Sequence, residues 1–320
     1  MNKPVIYVTR KLPEERLEPY REHMEIRMWE ETDTPVSREV LLKEVKEADG
    51  LLCMLSEKID HELLDAASRL QVVANLAVGY DNIDVETAKQ KGVTVTNTPD
   101  VLTETTADLA FALLMATARR VVEASEYIEA DQWQNWSPYL LAGSDIHHKT
   151  IGIVGMGRIG EAVARRARGF AMPVLYHNRS RKYQAEAEIP ATYAELETLL
   201  EESDYVVSVV PLTKETKQLF DESVFRRMKK SAIFINISRG AVVDEEALVT
   251  ALENGEIKAA GLDVFTEEPI RSDHPLMQLD NTVCLPHIGS ASTETRSAMI
   301  DLCLDNISAV MEGKAPKTAL

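Results

Sequence analysis

The sequence predicts an α/β protein built from two parallel-sheet domains. Short, almost wholly apolar runs recur along the chain, separated by polar stretches whose apolar residues fall at helical spacing. The alternation stops once, at Asn97-Thr98-Pro99, and restarts at Thr150. A length of 320 residues also fits two domains at roughly 150 residues each.

In the first third, strands are expected at 5–9, 26–29, 50–55, 72–76 and 93–97, with helical segments such as 37–48 and 59–68 between them. Strands that alternate with helices give a parallel sheet, because each crossover must return the chain to the same edge. Residues 103–130 read as one long helix, apolar over much of its surface and suited to an inter-domain connector or a subunit contact. Residues 133–148, with two tryptophans, read as a loop. The second rhythm runs through a strand at 151–154, a helix from Arg158, a strand at 174–177, a helix near 193–202 and a strand at 205–210. Further strands are expected at 232–237, 259–263 and 282–285, and a closing helix at 292–311. No internal repeat or low-complexity tract interrupts the pattern.

Composition narrows the function classes. Hydrophobic residues at 45% and charged residues at 27% exclude a disordered or collagen-like chain. A balance of 35 basic to 52 acidic side chains, net −17, repels a phosphate backbone and argues against nonspecific nucleic-acid binding. Any anionic substrate must then be drawn in by local positive charge. The longest apolar stretch, 109–118, is shorter than the about 20 residues a bilayer span needs, so no membrane partner is expected. MNKPVIYVTR has no apolar segment ahead of a cleavage site, so no secretory signal is expected. Cys53, Cys284 and Cys303 are odd in number and far apart, which argues against a disulfide framework and fits a reduced, cytoplasmic location. No metal is expected.

The strongest local signal is IGIVGMGRIG, where an apolar strand enters Gly155-x-Gly157-x-x-Gly160 and then a helix-compatible segment. Gly155 allows a tight turn, Gly157 lets a pyrophosphate approach the backbone, and Gly160 permits close helix–strand packing. The helix start offers free N–H groups and a positive dipole end to phosphates. A purely structural glycine turn is the alternative. The next strand ends in His177-Asn178-Arg179-Ser180-Arg181-Lys182, without the carboxylate that usually holds an NAD ribose. Arg179 and Arg181 there suit a 2′-phosphate, so NADP is favoured with NAD still possible, the alternative being a solvated basic turn.

Three more residues each follow a strand-like run: Arg239 in FINISRG, Glu268 in LDVFTEEP and His287 in CLPHIGS. Singly they read equally well as a surface arginine, a solvated acid and a satisfied interior histidine. Together they form a chemical set, since the ends of parallel strands converge on one ligand site. Hydride transfer to a ketone creates an alkoxide that needs a proton, and histidine can supply one near neutral pH. A carboxylate beside it keeps the imidazolium charged, and a guanidinium binds a substrate carboxylate and polarises the adjacent carbonyl.

At these residues the chain resembles the D-isomer-specific 2-hydroxyacid dehydrogenase family over nearly its whole length, through LAVGYDNID, NTPDVLTETTADLA, GIVGMGRIG, FINISRGAVVDEEAL, AAGLDVFTEEP and LPHIGSAS. It is most similar to the glyoxylate/hydroxypyruvate reductase branch, which also holds 2-ketogluconate reductases. The resemblance implies a Rossmann-type doubly wound sheet (99–289) inserted into a flavodoxin-like substrate domain (1–98 and 290–320). It implies that Arg239 binds substrate, His287 donates the proton and Glu268 partners it. Substrate would also meet Leu55 and the backbone N–H groups of Val78 and Gly79, although Val78-Gly79 also reads as a simple turn. The cofactor would meet Gly155, Gly157, Arg158, Ile159, Gly160, Asn178, Arg179, Ser180, Arg181, Pro211, Thr216, Ile237, Asp263 and Gly289. Asp263, set to face the nicotinamide carboxamide, has a structural cap as its alternative. A homodimer is implied, with Trp136 reaching the partner's site or serving as ordinary interface packing. Asn178 followed by Arg179 departs from the family's usual aspartate and agrees with NADP. The activity implied is NADPH-dependent reduction of glyoxylate and hydroxypyruvate to glycolate and D-glycerate. A 2-ketogluconate reductase, another D-2-hydroxyacid dehydrogenase or a dinucleotide-sensing corepressor-like protein are the rivals.

Overall fold

The computed structural model describes residues 3–320, and the chain divides into two units, one running up to Leu102 and rejoined by Ser292–Leu320, the other Thr103–Ala291.

In the first unit, β1 (Val5–Val8), β2 (Glu25–Met28), β3 (Gly50–Cys53), β4 (Val72–Asn75) and β5 (Thr94–Thr96) form a parallel sheet ordered β2-β1-β3-β4-β5. β1, β3 and β4 are buried along their whole length. Covered on both faces, such strands read as unbroken apolar runs rather than alternating ones. They are joined by α1 (Glu14–Arg21), α2 (Arg38–Glu44), α3 (His61–Ala66) and α4 (Val85–Gln90). Ser37, Asp60 and Asp84 cap the last three by accepting from the N–H groups of Val40, Leu63 and Thr87, each cap contributing about 1 kcal/mol. The helix Thr293–Met311, capped by Ser292, packs buried Cys303, Leu304 and Ile307 toward this sheet.

In the second unit, α5 (Thr103–Arg119) and α6 (Val121–Glu129) precede β6 (Ile151–Val154), α7 (Arg158–Arg168), β7 (Val174–His177), α8 (Tyr183–Glu188), β8 (Ala191–Tyr193), α9 (Leu196–Glu202) and β9 (Tyr205–Ser208). Then come α10 (Glu222–Arg227), β10 (Ile233–Asn236), α11 (Glu245–Glu253), β11 (Ala259–Leu262) and β12 (Thr282–Cys284). The seven strands are parallel, in the order β12-β11-β10-β9-β6-β7-β8. The order reverses between β6 and β9, the place where an open α/β sheet binds its ligand. Both units are therefore doubly wound parallel sheets.

The single helix expected over 103–130 is two. Arg120 takes φ 54°, ψ 40°, a left-handed conformation that ends the i→i−4 ladder, and its side chain is held by Glu123 at 2.6 and 2.7 Å. Packing explains the break. α5 buries Thr106, Ala107, Ala110, Phe111, Leu113, Leu114, Thr117 and Ala118 in the second unit's core, whereas α6 buries none of its residues. The helix expected near 193–202 begins at Leu196, because Ala191–Tyr193 adds an edge strand beside β7. Among the described residues no helix is long and apolar enough to cross a membrane.

Candidate active site

Arg239, Glu268 and His287 follow three adjacent strands, β10, β11 and β12, and all lie in the second unit. Arg239 sits on a turn shaped by the buried Asn236, whose Nδ2 donates to the Arg239 carbonyl at 3.0 Å. Asn236 Oδ1 accepts from the Ser238 N–H at 3.0 Å and the Ser238 hydroxyl at 2.7 Å. One Arg239 Nη donates to the Ser238 carbonyl at 2.9 Å. The next residue must be glycine: a Cβ on Gly240 would lie 1.8 Å from the Phe265 carbonyl carbon. That close approach packs the arginine turn against the loop leading to Glu268.

Glu268 is fixed at both oxygens. Oε1 accepts from the Phe265 N–H at 2.9 Å, and Oε2 lies 2.7 Å from His287 Nδ1. Burial pushes this carboxyl up, but the hydrogen bond and charge of His287, with Phe265 N–H and Arg239, outweigh burial and hold it below its ordinary value. It is therefore a carboxylate at neutral pH and can only accept, which places a proton on His287 Nδ1. Nε2 has no hydrogen-bond partner among the described residues. His287 holds φ 53°, an uncommon backbone conformation for a residue with a side chain. It is stabilised from the preceding strand end, where Asp263 Oδ1 accepts the Ile288 N–H at 2.8 Å.

Asp263 thus does cap the His287 turn. Burial raises its carboxyl above the ordinary value despite the Ile288 and Gly289 N–H groups and the nearby His287 charge. Its Oδ2 is buried without a partner, 3.3 Å from where a Cβ on Gly289 would stand. An unpaired buried acceptor is costly, and an amide N–H donor such as a nicotinamide carboxamide would satisfy it. Ile237 is buried at the end of β10.

The glycine turn fits a dinucleotide pyrophosphate. Gly155 has φ +105° and a Cβ there would meet Val209 backbone at 2.8 Å; on Gly160 it would meet the Gly155 carbonyl at 2.1 Å. On Gly157 it would meet nothing within 4 Å, so the backbone there is open to an approaching group. Gly157 is the N-cap of α7 and provides no side-chain cap, and a helix start of this kind suits an anion. On the neighbouring strand end, Asn178 Nδ2 donates to the Ser180 carbonyl at 2.9 Å, and Arg179 and Ser180 are exposed. Arg181 is paired with Glu186 through two hydrogen bonds of 2.7 and 3.0 Å. After β9, the Thr216 hydroxyl donates to the Pro211 carbonyl at 2.6 Å and closes that loop on itself.

Leu55, Val78 and Gly79 belong to the first unit, at the ends of β3 and β4. The Val78 carbonyl accepts from Asn97 Nδ2 and the Gly79 carbonyl from Asn75 Nδ2, both at 2.8 Å. The Val78 and Gly79 N–H groups have no partner among the described residues. Two adjacent free N–H groups suit an anion such as a carboxylate. Leu55 sits on a turn held by buried Glu57, which accepts from the Met54 N–H at 2.7 Å. Trp136 is 76% exposed and makes no side-chain hydrogen bond among the described residues. Asn75, Asn97, Asn236 and Gly240 escaped the sequence reading; each stands close in the chain to a residue it did select or shares a hydrogen bond with one, and strand-end asparagine was the available signal.

The sequence profile described as D-isomer specific 2-hydroxyacid dehydrogenase, NAD binding domain, matches residues 111–289. The glyoxylate reductase of Thermococcus onnurineus is 52% identical over 320 residues, covering 99% of this chain and 95% of that protein. The crystal structure of the TT0316 protein from Thermus thermophilus superposes with a TM-score of 0.93 at 44% identity, covering 99% of each chain. An NADPH-dependent glyoxylate/hydroxypyruvate reductase from Sinorhizobium meliloti, solved with NADP and malonate, gives a TM-score of 0.86 at 36% identity, covering 100% of this chain and 97% of the other.

Proposed function

Because the chain belongs to the D-isomer specific 2-hydroxyacid dehydrogenase family and is an NAD(P)-dependent oxidoreductase, we propose that it reduces glyoxylate and hydroxypyruvate to glycolate and D-glycerate, with NADPH preferred. The observation that carries this reading is the His287–Glu268 pair, 2.7 Å apart with Nε2 free, on strand ends beside that of Arg239. The names of the relatives support the substrate class, and the basic turn after β7 supports NADPH.

When bound, the reduced nicotinamide supplies the hydride to C2 of the 2-oxo acid. The Arg239 guanidinium holds the substrate carboxylate and polarises the neighbouring carbonyl, which stabilises negative charge as it builds on oxygen. In the first unit the adjacent Val78 and Gly79 N–H groups are donors suited to a carboxylate, and Leu55 stands at the end of the neighbouring strand β3. His287 Nε2–H gives its proton to the forming alkoxide. Glu268 keeps that imidazole oriented throughout, through the bond to Nδ1. Asp263 Oδ2 takes a carboxamide N–H, and Ile237, Gly289, Pro211 and Thr216 line the cofactor's path. The Gly155–Gly160 turn with Arg158 and Ile159 receives the pyrophosphate, and Asn178, Arg179 and Ser180 receive the 2′-phosphate beside Arg181.

Exposed apolar side chains at Val121, Ile128, Trp133, Trp136 and Tyr139 support a homodimer through this stretch, with Trp136 at the partner's site. Three unpaired thiols support a reducing, cytoplasmic setting. Initial rates with glyoxylate, hydroxypyruvate and 2-ketogluconate, each with NADPH and NADH, test the reading. Fast NADPH-dependent turnover of the two small acids is the expected result. A preference for 2-ketogluconate would move the substrate, and no turnover with any of them would leave a dinucleotide sensor.

A further inference from the structure

The turn after β7 carries three cations, and the fold treats two of them in opposite ways. Arg181 is committed. Its Nε and one Nη donate to the two Glu186 oxygens at 2.7 and 3.0 Å, and its guanidinium lies 5.1 Å from the centre of the Tyr183 ring. Glu186 is itself anchored, accepting from the Tyr176 hydroxyl at 2.6 Å, while Tyr176, in the core, accepts the Lys182 N–H at 2.8 Å. Arg181 and Tyr176 together hold the Glu186 carboxyl below its ordinary value. Arg179 is exposed, with no hydrogen bond or ion pair among the described residues. Its charge reaches Glu215, whose carboxyl is lowered chiefly by the Thr213 hydroxyl and in part by Arg179.

We propose that Glu186 is a specificity-determining residue for the dinucleotide, because it competes with a ribose 2′-phosphate for the Arg181 guanidinium. The inference rests on the 2′-phosphate reading of this turn. A carboxylate and a phosphate present the same pair of oxygens to the guanidinium fork. With Nε and one Nη engaged, Arg181 offers that face of its fork to a 2′-phosphate only by giving up a bidentate partner on the helix that follows it, and its charge is already matched by Glu186. Arg179 has no such partner to give up. The Arg181 side chain is half exposed, so water screens the pair and the competition is modest. Glu186 acts through Arg181 and touches no ligand itself. The dinucleotide preference is then graded: Arg179 sets that a 2′-phosphate binds, and Glu186 limits how tightly.

Calorimetric titration of the full-length protein with adenosine 2′,5′-bisphosphate and with AMP tests this, since the two probes differ only in the 2′-phosphate. Wild type should bind the bisphosphate more tightly. Glu186→Gln keeps the size and an acceptor for the Tyr176 hydroxyl, and should tighten the bisphosphate about two- to fivefold while leaving AMP unchanged. Adding Arg181→Met to that variant should abolish the gain. Bisphosphate affinity that is unchanged or weaker in Glu186→Gln overturns the proposal, and a parallel loss for both probes shows Glu186 to be only an anchor of the turn. Equal binding of both probes by wild type would overturn the 2′-phosphate reading and this inference together.

Discussion

The two halves of the seven-stranded sheet solve different problems by different means. After β10, β11 and β12, side chains are held by specific hydrogen bonds, buried at Asn236 and Ser238 and partly exposed at Glu268 and His287: Asn236 and Ser238 shape the Arg239 turn, Asp263 props the His287 turn, and Glu268 clamps the imidazole. After β7, the turn is an exposed group of charges with one paired arginine and one free. The first arrangement fixes positions to within a hydrogen bond, as bond-making chemistry requires. The second supplies field and charge, which is enough to choose between ligands that differ by one phosphate. Damage to the first half should therefore appear in rate, and damage to the second in cofactor ratio.

The largest expected effect is in the catalytic half. His287→Ala should cut glyoxylate reduction by about 10²- to 10⁴-fold while NADPH binding, followed by fluorescence, stays within about twofold of wild type. An unaltered rate would remove His287 as the proton donor. Gly240→Ala comes next: its Cβ would overlap Phe265 backbone, and overpacking of this kind destabilises by about 1–3 kcal/mol, so both melting temperature and rate should fall.

Glu268→Gln sharpens the contrast through pH. The carboxyl is held below its ordinary value of 4.5 by His287 despite burial. Its contribution to stability is thus present above that value and is lost as pH falls through the lower folded one. The acid-side fall in melting temperature should therefore be shallower in Glu268→Gln, with the NADPH-to-NADH preference unmoved. A shift in that preference would mean the two halves are not separable.

In the exposed half the effects should be confined to cofactor choice. Arg179→Asp should weaken NADPH by about 10- to 100-fold, the worth of a charge-assisted hydrogen bond, and leave NADH almost unchanged. Raising salt should erode the wild-type preference but not the rate at saturating cofactor. Equal losses for both dinucleotides would detach Arg179 from the 2′-phosphate.

The contrast also governs what the sequence could reveal. Central strands such as Val72–Asn75 and Tyr205–Ser208 announce themselves because full burial favours apolar residues at nearly every position. Arg239, Glu268 and His287 are legible because their chemistry has few other reasons to recur at strand ends. Asn236 and Gly240 sat unread inside the same motif, since their work is backbone geometry that no residue type advertises. The break at Arg120 carries no glycine or proline, and apolar residues continue past it at Val121 and Val122. Only the loss of burial beyond α5 separates the two helices. The Arg181–Glu186 pair spans five residues across a turn and a helix start, a spacing that no helical or strand rule joins.

The separation of rate from cofactor choice is tested most directly by kcat/KM for glyoxylate reduction, measured with NADPH and with NADH on wild type, Arg179→Asp and Glu268→Gln. Wild type should favour NADPH, Arg179→Asp should change only the cofactor ratio, and Glu268→Gln should lower kcat/KM with both cofactors alike. Wild-type turnover that is absent, or variants that each disturb both quantities, would contradict it.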